Sequence, residues 1–359
     1  MRSNNLFNQL RRGAALLAVV GMLSVGSLVI AQTANPGKPV RPEQTIYASP
    51  KAGHGGIVAN TASATDFTGD GMNDLVYFDQ AQAQWEIHNV AAASVEMLKQ
   101  GTPLGVPVAA DYDGDGVMDI AMVRPDGDGS MCWEVRLSRG GTTSILWGLV
   151  TDVPVKGDYD GDGHSDLAVF RPGTGQWLAF SSLTGTLIEL QMTVQSSDLA
   201  VPGDYDGDQI TDPAVFRLAE TTFYYVGSSD QSLHVQGWEP MTRADEPSLV
   251  PADYDGDGTT DFAVFTPHDG IWRILLSRTG SFFVQMMPVI SVMCPPQDPA
   301  CQVRDFAQPS DLDNDGIADP AIWTPKENRV SYVGSQVGEQ VITLETGEAM
   351  TSVSAYYVR

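Results

Sequence analysis

Aspartate is the residue whose spacing in this sequence points to chemistry. One nine-residue phrase recurs six times, at 66–74, 111–119, 158–166, 204–212, 253–261 and 311–319. Its acids fall at positions 1, 3, 5 and 9, as in Asp158-Tyr-Asp-Gly-Asp-Gly-His-Ser-Asp166. Acids at alternate positions of a tight loop can turn their carboxylates toward one centre. Four such groups in one loop repel each other unless a cation sits among them. Glycine at position 6 lets the chain turn where a β-carbon would clash.

The donor set is all oxygen, which selects a hard cation. Calcium takes six to eight oxygens in a flexible shell, whereas magnesium demands a rigid octahedron and sheds water reluctantly. Zinc would call for histidine or cysteine. The expected ligands, with a backbone carbonyl at position 7, form six sets. Loop one offers Asp66, Thr68, Asp70, Met72 and Asp74, and loop two Asp111, Asp113, Asp115, Val117 and Asp119. Loop three offers Asp158, Asp160, Asp162, His164 and Asp166, and loop four Asp204, Asp206, Asp208, Ile210 and Asp212. Loop five offers Asp253, Asp255, Asp257, Thr259 and Asp261, and loop six Asp311, Asp313, Asp315, Ile317 and Asp319. About six calcium ions are therefore expected. Loop one is weakened by Thr68 at position 3, and loop four carries Gln209 where the turn wants glycine. A helix–loop–helix calcium site is excluded, because position 12 is apolar (Met122, Val169) and the flanks read as strands.

The charge agrees with this reading. Subtracting the 23 aspartates at ligand positions from the net charge of −25 leaves −2. So acidic a chain is not a nucleic-acid binder, which needs a basic surface. With 42 % apolar residues it has enough material for a core.

The elements that must position the loops also repeat. Successive loops start 45, 47, 46, 49 and 58 residues apart, the period of propeller blades. A short apolar segment precedes each loop, and a continuous apolar run follows it, as in Leu167-Ala-Val-Phe170. Continuous apolar character marks a strand buried on both faces. An alternating strand comes next, opened by Trp85, Trp133, Trp177, Tyr224 or Trp272, whose fixed register suits packing between blades. A fourth segment, such as Ser144-Ile-Leu-Trp147, completes the repeat. The expected fold is all-β, a propeller of six four-stranded blades. Strand-like segments at 44–49 and 351–357 either close the ring or form a seventh blade.

At the N-terminus, Arg2, Arg11 and Arg12 precede an apolar run, and Val29 and Ala31 form a small-residue cleavage site. Residues 1–31 thus read as a signal peptide, 32–54 as a Pro-rich linker with a closing strand, and 55–359 as the propeller. The product would be secreted or held at the cell surface, with no membrane span in the mature chain. Such a compartment permits disulfides. Cys294 and Cys301 flank a short Pro-rich segment and read as a local pair, leaving Cys132 as a buried thiol.

The phrase with its flanks, Val155-Lys-Gly-Asp-Tyr-Asp-Gly-Asp-Gly-His-Ser-Asp-Leu-Ala-Val-Phe-Arg-Pro172, resembles the FG-GAP/VCBS repeat. It is closer to the form in bacterial secreted proteins than to that of integrin α-subunits, whose Phe-Gly and Gly-Ala-Pro signatures are absent. The resemblance spans roughly residues 55–345 and implies a calcium-binding propeller at or beyond the cell surface. It fixes no single activity. One expectation is a scaffold that binds an extracellular protein or glycan without catalysis. The alternative is a polysaccharide lyase or hydrolase. His54, His88, His164, His234 and His268 occupy different positions in different repeats and read as surface or turn residues. Glu86, Glu134 and Glu189 read as solvent-facing. No nucleophile elbow or zinc-protease motif occurs.

Overall fold

The structure is a computed structural model that describes residues 65–79, 82–102, 105–241, 247–289, 305–324, 327–343 and 353–355. The readings of 1–31 as a signal, of 32–54 as a linker and of Cys294 and Cys301 as a disulfide lie outside these residues, as does His54.

The described residues form six four-stranded antiparallel sheets, arranged as the blades of a propeller. Blade two runs through Val106–Pro107, Ile120–Pro125, Ser130–Arg136 and Thr142–Leu149. Blade three follows with Val153–Val155, Leu167–Arg171, Gln176–Phe180 and Leu187–Gln191. Blade four uses Leu199–Ala200, Ala214–Arg217, Thr222–Val226 and Leu233–Gly237. Blade five uses Ser248–Leu249, Phe262–Thr266, Ile271–Leu275 and Phe282–Met286. Blade six uses Phe306–Ala307, Ala321–Thr324, Arg329–Gly334 and Gly338–Thr343. In blades two to six the aspartate loop joins the first strand to the second.

Blade one differs in where its first strand comes from. Its second to fourth strands are Leu75–Asp79, Gln84–Asn89 and Ser94–Lys99. The first place is filled by Val353–Ala355, which pairs antiparallel with Leu75–Asp79. The C-terminal strand therefore closes the ring inside blade one, and no seventh sheet forms among the described residues. Those residues contain no α-helix, and none long and apolar enough to cross a membrane.

Burial follows strand position. Second strands are buried along most of their length, because both faces meet a neighbouring blade. Third strands alternate, and fourth strands are largely exposed edges. The core is divided into clusters at the six blade junctions. Trp85, Trp133, Trp177 and Trp272 are all buried in these clusters, as the fixed register required.

Tyr224 is a correction to that register. It is half-buried, lies under the Arg217 guanidinium at 4.6 Å and donates its hydroxyl to Glu220. The core place belongs to Phe223, which pairs with Phe216 as Trp177 pairs with Phe170. A one-residue slip moves a strand residue to the opposite face. Two further expectations fall because both faces of the blade-one strand are covered by neighbouring blades. Glu86 and His88 share a face of blade one and are buried, with His88 Nε2 and Glu86 Oε1 2.7 Å apart. Glu189 is exposed as expected, while Glu134 is half-buried and takes an ion pair from Arg124 at 2.8 Å. Cys132 is a buried free thiol.

Candidate metal centres

The four acids of each loop have different tasks. Position 1 shapes the turn by accepting N–H bonds from its own loop. Asp111 accepts from Gly114 at 2.7 Å and Gly116 at 2.8 Å, and Asp158, Asp204 and Asp253 repeat the pattern. Position 5 accepts the N–H of position 7: Val117 donates to Asp115, His164 to Asp162, Ile210 to Asp208, Thr259 to Asp257 and Ile317 to Asp315. Met72 does the same with Asp70 in loop one.

Position 9 anchors the loop to the blade. Asp119, Asp166, Asp212, Asp261 and Asp319 are almost completely buried. Each accepts the position-2 N–H, from Tyr112, Tyr159, Tyr205, Tyr254 or Leu312, at 2.8 to 2.9 Å. Burial raises their carboxyls despite these donors: Asp119, Asp166, Asp212 and Asp319 to about 7, Asp261 and Asp74 to about 6. In loops two, four and five the position-2 tyrosine also donates its hydroxyl to the carbonyl of the residue just after the first strand, at Val108, Val201 and Val250, each at 2.6 Å.

Position 3 is left over in loops two, four, five and six, whereas Asp160 of loop three accepts from the Ser181 hydroxyl and the Leu183 N–H. Both side-chain oxygens of Asp113 and Asp255, and one each of Asp206 and Asp313, are buried without a hydrogen-bond partner. Asp113 is only 7 % exposed. Burial and then the neighbouring carboxylate raise Asp113 and Asp255 above the usual range. Buried acceptors without donors cost free energy unless something else satisfies them.

The loops bring these oxygens together. Asp111, Asp113 and Asp115 place ligand atoms within 4.8 Å of one another. So do Asp158, Asp160 and Asp166; Asp204, Asp206 and Asp212; Asp253, Asp255 and Asp261; and Asp311, Asp313 and Asp315. Oxygens on opposite sides of a calcium ion lie about 4.6 to 5.2 Å apart, so this spacing fits that shell. Loop four assembles its group although Gln209 takes φ +71°, where loops two, three, five and six place glycine at +83° to +88°. The substitution leaves strain in the backbone and the ligand set intact.

Loop one is different. No three carboxylates of Asp66, Asp70 and Asp74 meet the same spacing. Asn89 instead reaches in, donating its side-chain amide to Thr68 Oγ1 and Asp70 Oδ2, both at 2.7 Å. A neutral donor thus satisfies part of the loop.

Sequence reasoning missed a serine in the hairpin between the third and fourth strands. Ser138, Ser182, Ser228 and Ser277 each donate a backbone N–H to the position-9 carboxylate, at 2.6 to 2.8 Å. Their hydroxyls, with that of Ser335, bond the position-5 aspartate. The signal was available, because Ser182, Ser228 and Ser277 each follow position 9 by 16 residues. Arg139 and Arg278 follow two of these serines and approach loops two and five. The Arg139 Nε lies 2.7 Å from Asp115, and the Arg278 Nε 3.8 Å from Asp255.

No protein-family model matches the sequence, and neither does any curated protein. Solved structures share the architecture at low identity. TolB from Acinetobacter baumannii superposes with a TM-score of 0.51 at 12 % identity, over 76 % of this chain and 65 % of that one. Virginiamycin B lyase from Staphylococcus aureus gives 0.44 at 9 % identity, over 79 % and 88 %. At such identities the TolB likeness speaks to the propeller fold and to nothing finer.

Proposed function

We propose that this chain is an exported, calcium-stabilised propeller of the FG-GAP/VCBS type that binds an extracellular protein or glycan without catalysing a reaction. The observation that carries the calcium reading is the set of buried, partnerless oxygens at position 3 of loops two, four, five and six. Calcium supplies the missing partner and offsets the repulsion among the loop carboxylates. Position 1, 3, 5 and 9 side chains and the position-7 carbonyl would hold it, and they supply about six oxygens if position 9 binds through both of its own.

Several features favour a structural rather than a catalytic ion. A catalytic metal needs an open position and nearby acid–base groups. Every metal-capable group among the described residues consists of aspartate alone. His88, His164, His234 and His268 are spread over blades one, three, four and five. Ligand recognition then belongs to turns that differ between blades, such as residues 124–130, since loops on a rigid scaffold usually carry binding. A glycan array with the calcium-loaded protein, run beside a turnover assay on acidic polysaccharides, tests the reading. Binding without depolymerisation is expected. Depolymerisation that is lost in a folded Asp255→Asn variant would replace it with the lyase or hydrolase alternative.

A further inference from the structure

The aspartate loops touch one another, and they do so in one repeating way. The backbone carbonyl of position 1 in loops one to five accepts the N–H of position 8 in the next loop. Asp66 accepts from Met118 at 2.7 Å, Asp111 from Ser165 at 2.7 Å and Asp158 from Thr211 at 2.7 Å. Asp204 accepts from Thr260 at 2.6 Å and Asp253 from Ala318 at 2.8 Å. Between loops four and five a second bond runs the other way, from the Asp204 N–H to Thr260 Oγ1 at 3.1 Å. Loops one and six meet through Thr65 Oγ1 and Ser310 Oγ, 2.8 Å apart, each hydroxyl one residue before its loop.

Side chains follow the same path. The position-7 residue of loops two to six covers the position-4 glycine of the loop before it. A β-carbon at Gly114 would lie 2.1 Å from His164 Nε2, one at Gly161 3.0 Å from Ile210, and one at Gly256 2.9 Å from Ile317. In loops one to five glycine at position 4 leaves room for a neighbour's side chain and takes a positive φ, while loop six holds Asn314 there at φ +60°.

These contacts fall on the residues that would hold the ions. Position 8 lies between the position-7 carbonyl and the position-9 carboxylate, and the acceptor belongs to the residue whose carboxylate shapes the preceding loop. An ion that fixes position 1 of one loop therefore also fixes the anchor for positions 7 to 9 of the next. The second loop then has less freedom to lose when its own ion enters, which is positive coupling without a change of fold. Linkage makes the effect mutual, so each loop prepares the neighbour on either side.

We propose that the loops load calcium as a coupled series, through the hydrogen bonds that join position 8 of one loop to position 1 of the loop before it. The proposal rests on the calcium reading above, and its test separates the two. The probe is calcium alone, titrated onto the full chain while hydrogen–deuterium exchange is followed by mass spectrometry on peptides covering each loop. Asp255→Asn removes an ion ligand in loop five whose oxygens accept no hydrogen bond from within residues 253–261, so the loop's internal hydrogen bonds remain. Coupling predicts that the calcium midpoints of loops four and six rise about fivefold or more, with a smaller change in distant loop two. Thr260→Val retains every ligand but removes the acceptor of the Asp204 N–H. In that background the loop-four shift caused by Asp255→Asn should shrink while the loop-six shift persists. Loops four and six holding their wild-type midpoints, with loop five alone lost, would overturn the coupling and leave calcium binding intact. No calcium-dependent protection in any wild-type loop would overturn the calcium reading and the coupling together.

Discussion

The backbone N–H of Ser182 donates to Asp166 Oδ1 at 2.7 Å, tying the hairpin of blade three to a carboxylate 16 residues earlier. The Ser182 hydroxyl also lies 2.9 Å from each oxygen of Asp162. A loop that looks self-contained in the sequence is therefore braced from the far end of its own blade. Ser182→Ala keeps the backbone bond and loses the hydroxyl, so a loss of about 0.5 to 1.5 kcal/mol is expected. Denaturant melts at saturating calcium measure it, and an unchanged midpoint would mean that the hydroxyl bond contributes nothing.

The loops should differ in strength. Asp115→Ala removes a ligand from a complete carboxylate group, whereas Thr68→Ala alters a loop that Asn89 already bridges. Calorimetric titration should show one fewer calcium for Asp115→Ala and unchanged stoichiometry for Thr68→Ala. Equal losses would mean that loop one is as strong a site as loop two.

The core register gives a sharper contrast. Phe223 is fully buried and Tyr224 half-buried. Phe223→Ala is expected to cost about 3 to 5 kcal/mol, as large aromatic truncations in cores do. Tyr224→Ala is expected to stay within about 1 kcal/mol. Urea melts of the two variants compare them, and the reverse order would contradict the register of blade four.

The acidic clusters were legible because each is written in nine consecutive residues, and the blade period was legible because the same phrase returns at nearly constant spacing. What failed was anything decided by strand face or by distant pairing. Tyr224 and Phe223 are neighbours in sequence, and only the register with Phe216 says which one enters the core. Glu86 and His88 look like polar positions of an alternating strand, yet their face of blade one packs toward blade six, where Leu75 and Tyr77 meet Trp323. The partner of the 353–355 strand lies at the other end of the chain, and no local pattern names it. Asn89 belongs to loop one by folding alone.

Stability should depend on pH in opposite senses with and without calcium. Burial raises Asp119, Asp166, Asp212 and Asp319 to about 7. An unfolded aspartate titrates near 4. Between those values the folded chain binds more protons than the unfolded one, so stability falls as pH rises from about 4 to about 7. Chelated protein should therefore melt higher at about pH 5 than at about pH 7.5. With calcium the order reverses, because protons compete for the same oxygens. Scanning calorimetry at both pH values checks each sign, and a chelated protein that melts higher at the upper pH would contradict the first.

The central claim is that calcium holds the aspartate loops, and through them the blades, together. For extracellular modules the dissociation constant runs about 10⁻⁴ to 10⁻³ M. At about 1 mM free calcium each site then adds roughly 0.4 to 1.4 kcal/mol by mass action. The five assembled sites would total roughly 2 to 7 kcal/mol, comparable with the stability of a whole domain. The most direct measurement is a thermal melt of the purified chain at about 1 mM calcium and again with excess chelator. A midpoint that rises clearly with calcium, and little with equimolar magnesium, is the predicted result; the same midpoint with calcium and with chelator would contradict the account.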